Sequence, residues 1–473
     1  MHRLAYNASG IRSLHSLSAH KTSISAGTRS VRWRRKRYVS ATPCRPLVKA
    51  VDHTVTNVEK ILLDTIRATG PISYATYMQM CLSHPVYGYY MNQDHAVIGS
   101  RGDFTTSPEI SQVFGELVGI WLLSQWLHTG ASRKIRLIEL GPGRGTLMKD
   151  ILLTFNKLST AKSAVKEIHL VETSPAMIRQ QNASLAPFNL DIHWHSSLDA
   201  VPPDPTRFSM VVAHEFFDAL PFHLIEKRHE GWHEVLIDRS PDSVDSQVEE
   251  RQQKTQLTTS LDLGSSPPVS LKPRFRQVLS PTPTASSSLL GQSSPRFQRL
   301  PVGTRLEISP AAFKTARRIA ELLNPEDEGE SGGCALIVDY GGDKAYGNSF
   351  RAFKDHKIVD VFHRPGECDL TANVDFQYLK DATADLVLSH GPLSQATFLK
   401  HMGIDVRVEA LQKAAQSETR AKEIKEAAQR LVDLTGMGSQ YKVMGLSGKT
   451  VQKVPPEARW PFLEVDYKTS QGW

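Results

Sequence analysis

Arg136-Leu-Ile-Glu-Leu-Gly-Pro-Gly-Arg-Gly-Thr146 runs from a β-rich apolar segment, over 135–139, through alternating glycines into a helical sequence over 146–158. Gly141, Gly143 and Gly145 let the backbone take positive φ and approach a ligand closely. The first amides of the following helix face the same crevice. In a doubly wound α/β fold, the turn after the first strand lies at the switch point where nucleotides bind. A dinucleotide fingerprint reads G-x-G-x-x-G, whereas here the third glycine comes one position early and Thr146 stands in its place. The acid Glu139, just before the turn, opposes a pyrophosphate. It favours a cationic ligand, such as the sulfonium and amino groups of S-adenosylmethionine. Glu172 ends the next expected strand, 168–172, where a carboxylate can accept both ribose hydroxyls.

Outward from this turn, further strands are expected over 191–195, 210–213 and 334–340. Helices are expected over 175–186 and 310–323. Strands and helices that alternate at this interval predict a mainly parallel sheet with helices on both faces. Segments 220–225 and 232–238 flank Lys-Arg-His-Glu-Gly and read as a hairpin. Upstream, the apolar spacing predicts a helix over 55–69, then one capped by Ser73 through about residue 82. Pro108 and Glu109 are expected to open a long helix ending near His128. A charged amphipathic helix is expected over 408–434. Residues 240–300 are dense in Ser, Pro, Thr and Gln and read as a disordered low-complexity insertion. The expected organisation is a helical N-terminal region over 55–130 and a core over 131–239. The core then resumes over 301–473, which also holds a C-terminal helical region.

The net charge of +7 misleads. Residues 1–49 hold eleven Lys and Arg, and the first acid is Asp52, so the remainder is mildly acidic. The basic balance is therefore no argument for nucleic-acid binding. An Arg- and Ser-rich, acid-free leader with no continuous apolar run has the composition of a mitochondrial transit peptide. No stretch approaches the roughly 18 apolar residues of a membrane span. The four cysteines show no zinc-ligand spacing and suit a reducing matrix. His193 and His195 share one strand face, but no third metal ligand is indicated.

Several separated motifs then resemble one family. They are Gly102-Asp-Phe-Thr-Thr-Ser-Pro-Glu-Ile-Ser111, Glu139-Leu-Gly-Pro-Gly-Arg-Gly-Thr146, His214-Glu-Phe-Phe-Asp-Ala-Leu-Pro221, Asp369-Leu-Thr-Ala-Asn-Val-Asp-Phe376 and Thr397-Phe-Leu-Lys-His-Met-Gly-Ile404. In this order they resemble the MidA-like family, whose mitochondrial members are protein arginine methyltransferases that assist complex I assembly. The resemblance runs from about Val58 to Gly403, and the low-complexity insertion departs from shorter members. It implies a class I, Rossmann-like methyltransferase fold and transfer of methyl to a guanidinium nitrogen. It also implies a matrix-arm subunit of complex I as protein substrate, with symmetric dimethylation as product.

Methyl transfer needs the nucleophile aligned behind the methyl group and its proton removed or dispersed. Glu215 and Asp218, after the strand 210–213, are the candidate guanidinium ligands, with Phe216 or Phe217 walling the pocket. Asp218 is equally readable as a turn cap and both phenylalanines as core. Asp103 and Thr105 are candidate cofactor contacts from the loop before Ser107, which itself can cap a helix. Asp339 can border the substrate channel or stabilise a turn. A small-molecule methyltransferase and a non-catalytic assembly chaperone that keeps a cofactor site both remain compatible with the residues.

Overall fold

A computed structural model describes residues 55–91, 106–241, 274–324, 332–448 and 459–463. Asp103, Thr105 and the basic leader lie outside the described residues.

Seven strands make the central sheet: β1 (Lys134–Leu140), β2 (Val165–Val171), β3 (Asp191–His195), β4 (Arg207–His214), β5 (Gly333–Gly342), β6 (Val387–Ser394) and β7 (Tyr441–Gly448). Their order is β3-β2-β1-β4-β5-β7-β6. β1 to β5 are mutually parallel, and β7 runs antiparallel to both β5 and β6. The short strand Val374–Asp375 adds to the end of β5. The order reverses between β1 and β4, so the glycine turn sits at the switch point. This is the class I methyltransferase arrangement that the family resemblance implies.

The parallel strands are buried on both faces, as doubly wound sheets require. Leu137, Met210, Val212, Leu336 and Val338 pack on one face with Val118, Trp121 and Ile151. Ile138, Val211, Ala213, Ala335 and Ile337 pack on the other with Ala316, Ile319 and Phe376. The helix Pro310–Leu323 forms where expected: Ser309 accepts from the Ala312 amide and Pro310 fills the first turn.

A second layer lies beside the sheet. Helix Asn57–Thr69 is capped by Thr56 and ends at Gly70, which takes φ 86°. Helix Tyr74–Ser83 follows from the Ser73 cap. Their apolar faces pack on an antiparallel sheet of Ile72–Ser73, Gly231–Arg239, His223–Arg228, Arg305–Ile308 and Phe275–Leu279.

Three expectations need correction. The long helix after Pro108 is two helices, Ser107–Ile110 and Gln112–His128, because Ser111 turns extended and caps the second through the Val113 amide. The charged stretch after Val408 is likewise two helices, Ile404–Lys413 and Glu418–Val432, the latter capped by Ser417. The insertion read over 240–300 is not disordered throughout. Residues 242–273 lie outside the described residues, but Phe275–Leu279 is a strand and Ala285–Gln292 and Pro295–Gln298 are helices. Here Ser, Thr and Pro serve as caps: Thr284 and Ser287 form a capping box and Pro295 opens a helix. Phe275 and Phe297 supply the buried apolar surface. Gly291 leaves room for Trp232; a Cβ there would lie 2.1 Å from its Cδ1.

Candidate active site

The carboxyl ends of β1 to β4 open into a cavity of about 440 Å³. The glycine turn forms its floor. Gly141, Gly143 and Gly145 take φ values of 63°, 51° and 78°, the left-handed region that a side chain disfavours. The Gly141 amide donates to Val171 O at 3.1 Å, which ties the turn to β2. Phe216 packs against the turn, since a Cβ on Gly141 would lie 3.0 Å from its Cδ2. Gln181 completes the cradle. Its Nε2 donates to Gly143 O at 2.8 Å and to Glu172 Oε2 at 3.0 Å, and its Oε1 accepts from Trp194 Nε1.

Glu172 lines the cavity at the end of β2. Its Oε1 accepts from the Thr173 and Ser174 amides at 2.8 and 2.7 Å. Burial pushes this carboxyl up, opposed by those donors. Glu139, at the end of β1, is 2% exposed. Burial raises its carboxyl to about 8, with only the Met148 amide pulling the other way. Its Oε2 has no hydrogen-bond partner among the described residues. A buried carboxyl oxygen left unpaired beside an open cavity fits a cationic ligand group. The glycine cradle with Glu139 and Glu172 beside it thus has the chemistry to fit S-adenosylmethionine. Ser196, Ser197 and Leu198 after β3, with Lys314 and Arg318, close the far side.

Glu109 also lines the cavity. Its carboxylate pairs with Arg144 of the glycine turn and accepts from Thr146 Oγ1 at 2.5 Å. The break at Ser111 lets the short helix turn Glu109 toward the glycine loop. Sequence reasoning took Glu109 only as a helix opener and missed Gln181; the acid within the 102–111 motif was the available signal for the first.

Glu215 stands at the mouth of β4, where expected. It is a non-glycine residue at φ 50°. Its amide donates to Val338 O at 3.0 Å. Its Oε1 lies 2.7 Å from the Tyr441 hydroxyl and 3.6 Å from His214 Nε2. Burial pushes the Glu215 carboxyl up to about 8 and holds His214 down near 3, so the imidazole is neutral. The following turn is held by Asp339, whose Oδ2 accepts from the amides of Phe216, Phe217 and Asp218 at 3.1, 2.9 and 3.3 Å. Asp339 is therefore a turn stabiliser and not a channel residue.

Asp218 does not reach the cavity. It is buried, its carbonyl accepts from the Ala372 amide, and burial with nearby Asp339 and Asp369 raises its carboxyl well above the usual range. Its place as a second guanidinium ligand is corrected accordingly. Phe216 lines the cavity, whereas Phe217 packs in the core. His193 and His195 join His169 in a stack of rings on the sheet edge. Among the described residues no group of three or more His, Cys, Asp or Glu is placed to hold a metal ion. No described helix is long and apolar enough to cross a membrane.

Fold and site together define a methyltransferase that uses S-adenosylmethionine. The sequence pattern of the S-adenosyl-L-methionine-dependent methyltransferase family matches residues 117–392, and the chain belongs to that family. Its sequence is 38% identical over 406 residues to the mitochondrial protein arginine methyltransferase NDUFAF7 of Danio rerio, covering 82% of this chain and 86% of that one. It is 34% identical over 435 residues to the protein of the same name from Homo sapiens, covering 88% and 87%. Like these relatives, it is a mitochondrial enzyme. A protein from Burkholderia thailandensis solved with bound S-adenosyl-homocysteine shares the fold, at TM-score 0.61 and 20% identity over 83% of this chain and 92% of that one.

Proposed function

We propose that this enzyme methylates a guanidinium nitrogen of a protein arginine, and that its substrate is a matrix-arm subunit of respiratory complex I. Its curated relatives carry the name protein arginine methyltransferase, and the MidA-like motifs imply the complex I target and symmetric dimethylation. The observation that carries the reading is Glu215, a buried carboxyl held in a left-handed turn and facing the cavity beside the glycine loop.

Guanidinium stays charged at any physiological pH, with a pKa above about 12. Within the cavity it would meet Glu215, whose burial keeps the carboxyl protonated until a cation arrives. The cation restores ionisation, and the pair makes charge-assisted bonds that fix the guanidinium plane. Neutral His214 and Phe216 bound the space without competing for charge. When bound, S-adenosylmethionine supplies an electrophilic methyl on a positively charged sulfur. The attacking nitrogen gives its proton to Glu215. Its lone pair forms the N–C bond while the C–S electron pair stays on sulfur. Methylguanidinium, a neutral thioether and protonated Glu215 result.

The test is incubation with methyl-labelled S-adenosylmethionine and matrix extract from cells lacking the enzyme, followed by mass mapping. Label on an arginine of a complex I subunit is expected. Glu215→Gln should slow transfer by about 10²-fold or more while cofactor affinity changes little. Label confined to small molecules, or near-normal turnover of the Gln variant, would overturn the reading.

A further inference from the structure

Glu215 is held by more than its own turn. Opposite β5, the strand β7 places Tyr441 in register with Tyr340. The two rings lie 4.1 Å apart and their hydroxyl oxygens 2.7 Å apart. Tyr441 is 1% exposed, and its hydroxyl reaches Glu215 Oε1 at 2.7 Å. A phenol has a single proton to give. Once Glu215 is ionised, Tyr441 donates to Glu215 and its own oxygen is left to accept from Tyr340. Behind them, the Arg351 guanidinium sits 5.3 Å from the Tyr340 ring centre. A buried phenol pair aimed at a cavity carboxylate is an unusual use of two large side chains. An apolar pair would fill the space without polar atoms that need satisfying.

We propose that Tyr441, supported by Tyr340, is a positioning residue for methyl transfer: its hydroxyl fixes the Glu215 carboxylate so that the remaining lone pairs meet the incoming guanidinium. This rests on the reading of Glu215 as guanidinium ligand. The φ of 50° aims the side chain into the cavity, but a Glu side chain keeps several free rotations. One hydrogen bond to a fixed ring removes much of that freedom before substrate arrives, and it becomes charge-assisted once the guanidinium restores ionisation. The same bond favours the ionised carboxylate. Other groups facing Glu215 are His214, which is neutral, the Ser107 amide, which donates to it, and the carboxyls of Asp218 and Asp369, which oppose its ionisation. Asp339 neighbours it electrostatically as well. Tyr441 is therefore the side-chain donor that counters burial at this carboxylate.

The test compares Tyr441→Phe, Tyr340→Phe, Glu215→Gln and the Tyr441→Phe/Glu215→Gln double variant. Initial rates are taken from about pH 6 to 9 with labelled S-adenosylmethionine and matrix extract from cells lacking the enzyme. Cofactor affinity is measured separately by calorimetry. Tyr441→Phe should lower the rate about tenfold and move the acid limb to higher pH, because the carboxylate loses a donor. Cofactor affinity should stay within about twofold, and Tyr340→Phe should shift the limb the same way by less. Added to Glu215→Gln, the Tyr441→Phe change should cost nothing further. An unchanged acid limb in Tyr441→Phe, or equal losses of rate and cofactor affinity, would overturn the proposal while leaving Glu215 in place. If Tyr441→Phe does not fold, an unchanged limb in Tyr340→Phe overturns it. Near-normal turnover of Glu215→Gln would instead sink the reading beneath it.

Discussion

Replacing Glu139 by Gln should change how stability depends on pH. The Glu139 carboxyl has an ordinary value of 4.5 and is raised to about 8 in the cofactor-free protein, chiefly by burial. Between those values the folded chain keeps a proton that the unfolded chain has released. Stability therefore falls as pH rises through this window, by about 1.4 kcal/mol per pH unit. The amide of Gln carries no such proton. From pH 5.5 to 7.5 the variant should gain about 2.5 kcal/mol on the wild type. Glu215, Asp339 and Asp150 are raised in the same direction but are present in both proteins, so they cancel in the difference. Urea titrations of cofactor-free protein at pH 5.5, 6.5 and 7.5 measure it. The same carboxyl should release a proton when the cationic cofactor binds at pH 7, seen by calorimetry in buffers of differing ionisation enthalpy. Glu139→Gln should bind S-adenosylmethionine more weakly and release less. Parallel pH profiles for the two proteins, or binding by the wild type without proton release, would refute the assignment of Glu139 as the cation's partner.

Gly143→Val places a branched side chain at φ 51° in the cofactor turn. It should abolish S-adenosylmethionine binding while circular dichroism stays near wild type; unchanged affinity in a folded variant counts against the cradle. A short Gly/Ser linker in place of residues 242–273 should leave methyl transfer intact, as assayed with matrix extract, and lost activity in a folded protein would show a catalytic part for that segment. Phe275→Ala, just beyond it, should cost about 3–5 kcal/mol in urea unfolding, because Phe275 is 2% exposed among Tyr77 and Phe362.

Features encoded by neighbours in the chain were legible in the sequence. The glycine turn, Glu139 and Glu172 follow from a strand, a break and a helix within a few dozen residues. Helix Pro310–Leu323 follows from its Ser309 cap and an apolar stripe that includes Ala316, Ile319 and Leu323. What escaped depends on distant partners. Glu215 could be placed at a strand end, but its bond to Tyr441 joins residues 226 apart. Asp339 holds a turn more than a hundred residues upstream. β7 gave little alternation because it is buried on both faces, and Gly445 within it admits Phe462 and Trp121. The segment after residue 274 looked disordered because serine and threonine counts do not distinguish a cap from a linker.

β7 is the last of the seven sheet strands to be synthesised, yet it lies inside the sheet, between β5 and β6. The glycine turn can form from local sequence as soon as β1, β2 and the helices that follow them exist. The sheet cannot close until residues 441–448 arrive, and β5 meanwhile shows a bare edge along Cys334 to Tyr340. Such an edge is a template for pairing with other chains. Assembly is thus ordered in time, with the glycine turn and Glu215 made early and the Tyr441 hydroxyl that fixes Glu215 made last. A stop codon between positions 343 and 441 would keep every cofactor residue and remove the strand that seals the sheet. The expected consequence is loss of the protein through aggregation or degradation, seen as its absence on an immunoblot, and not an inert enzyme that still sequesters cofactor.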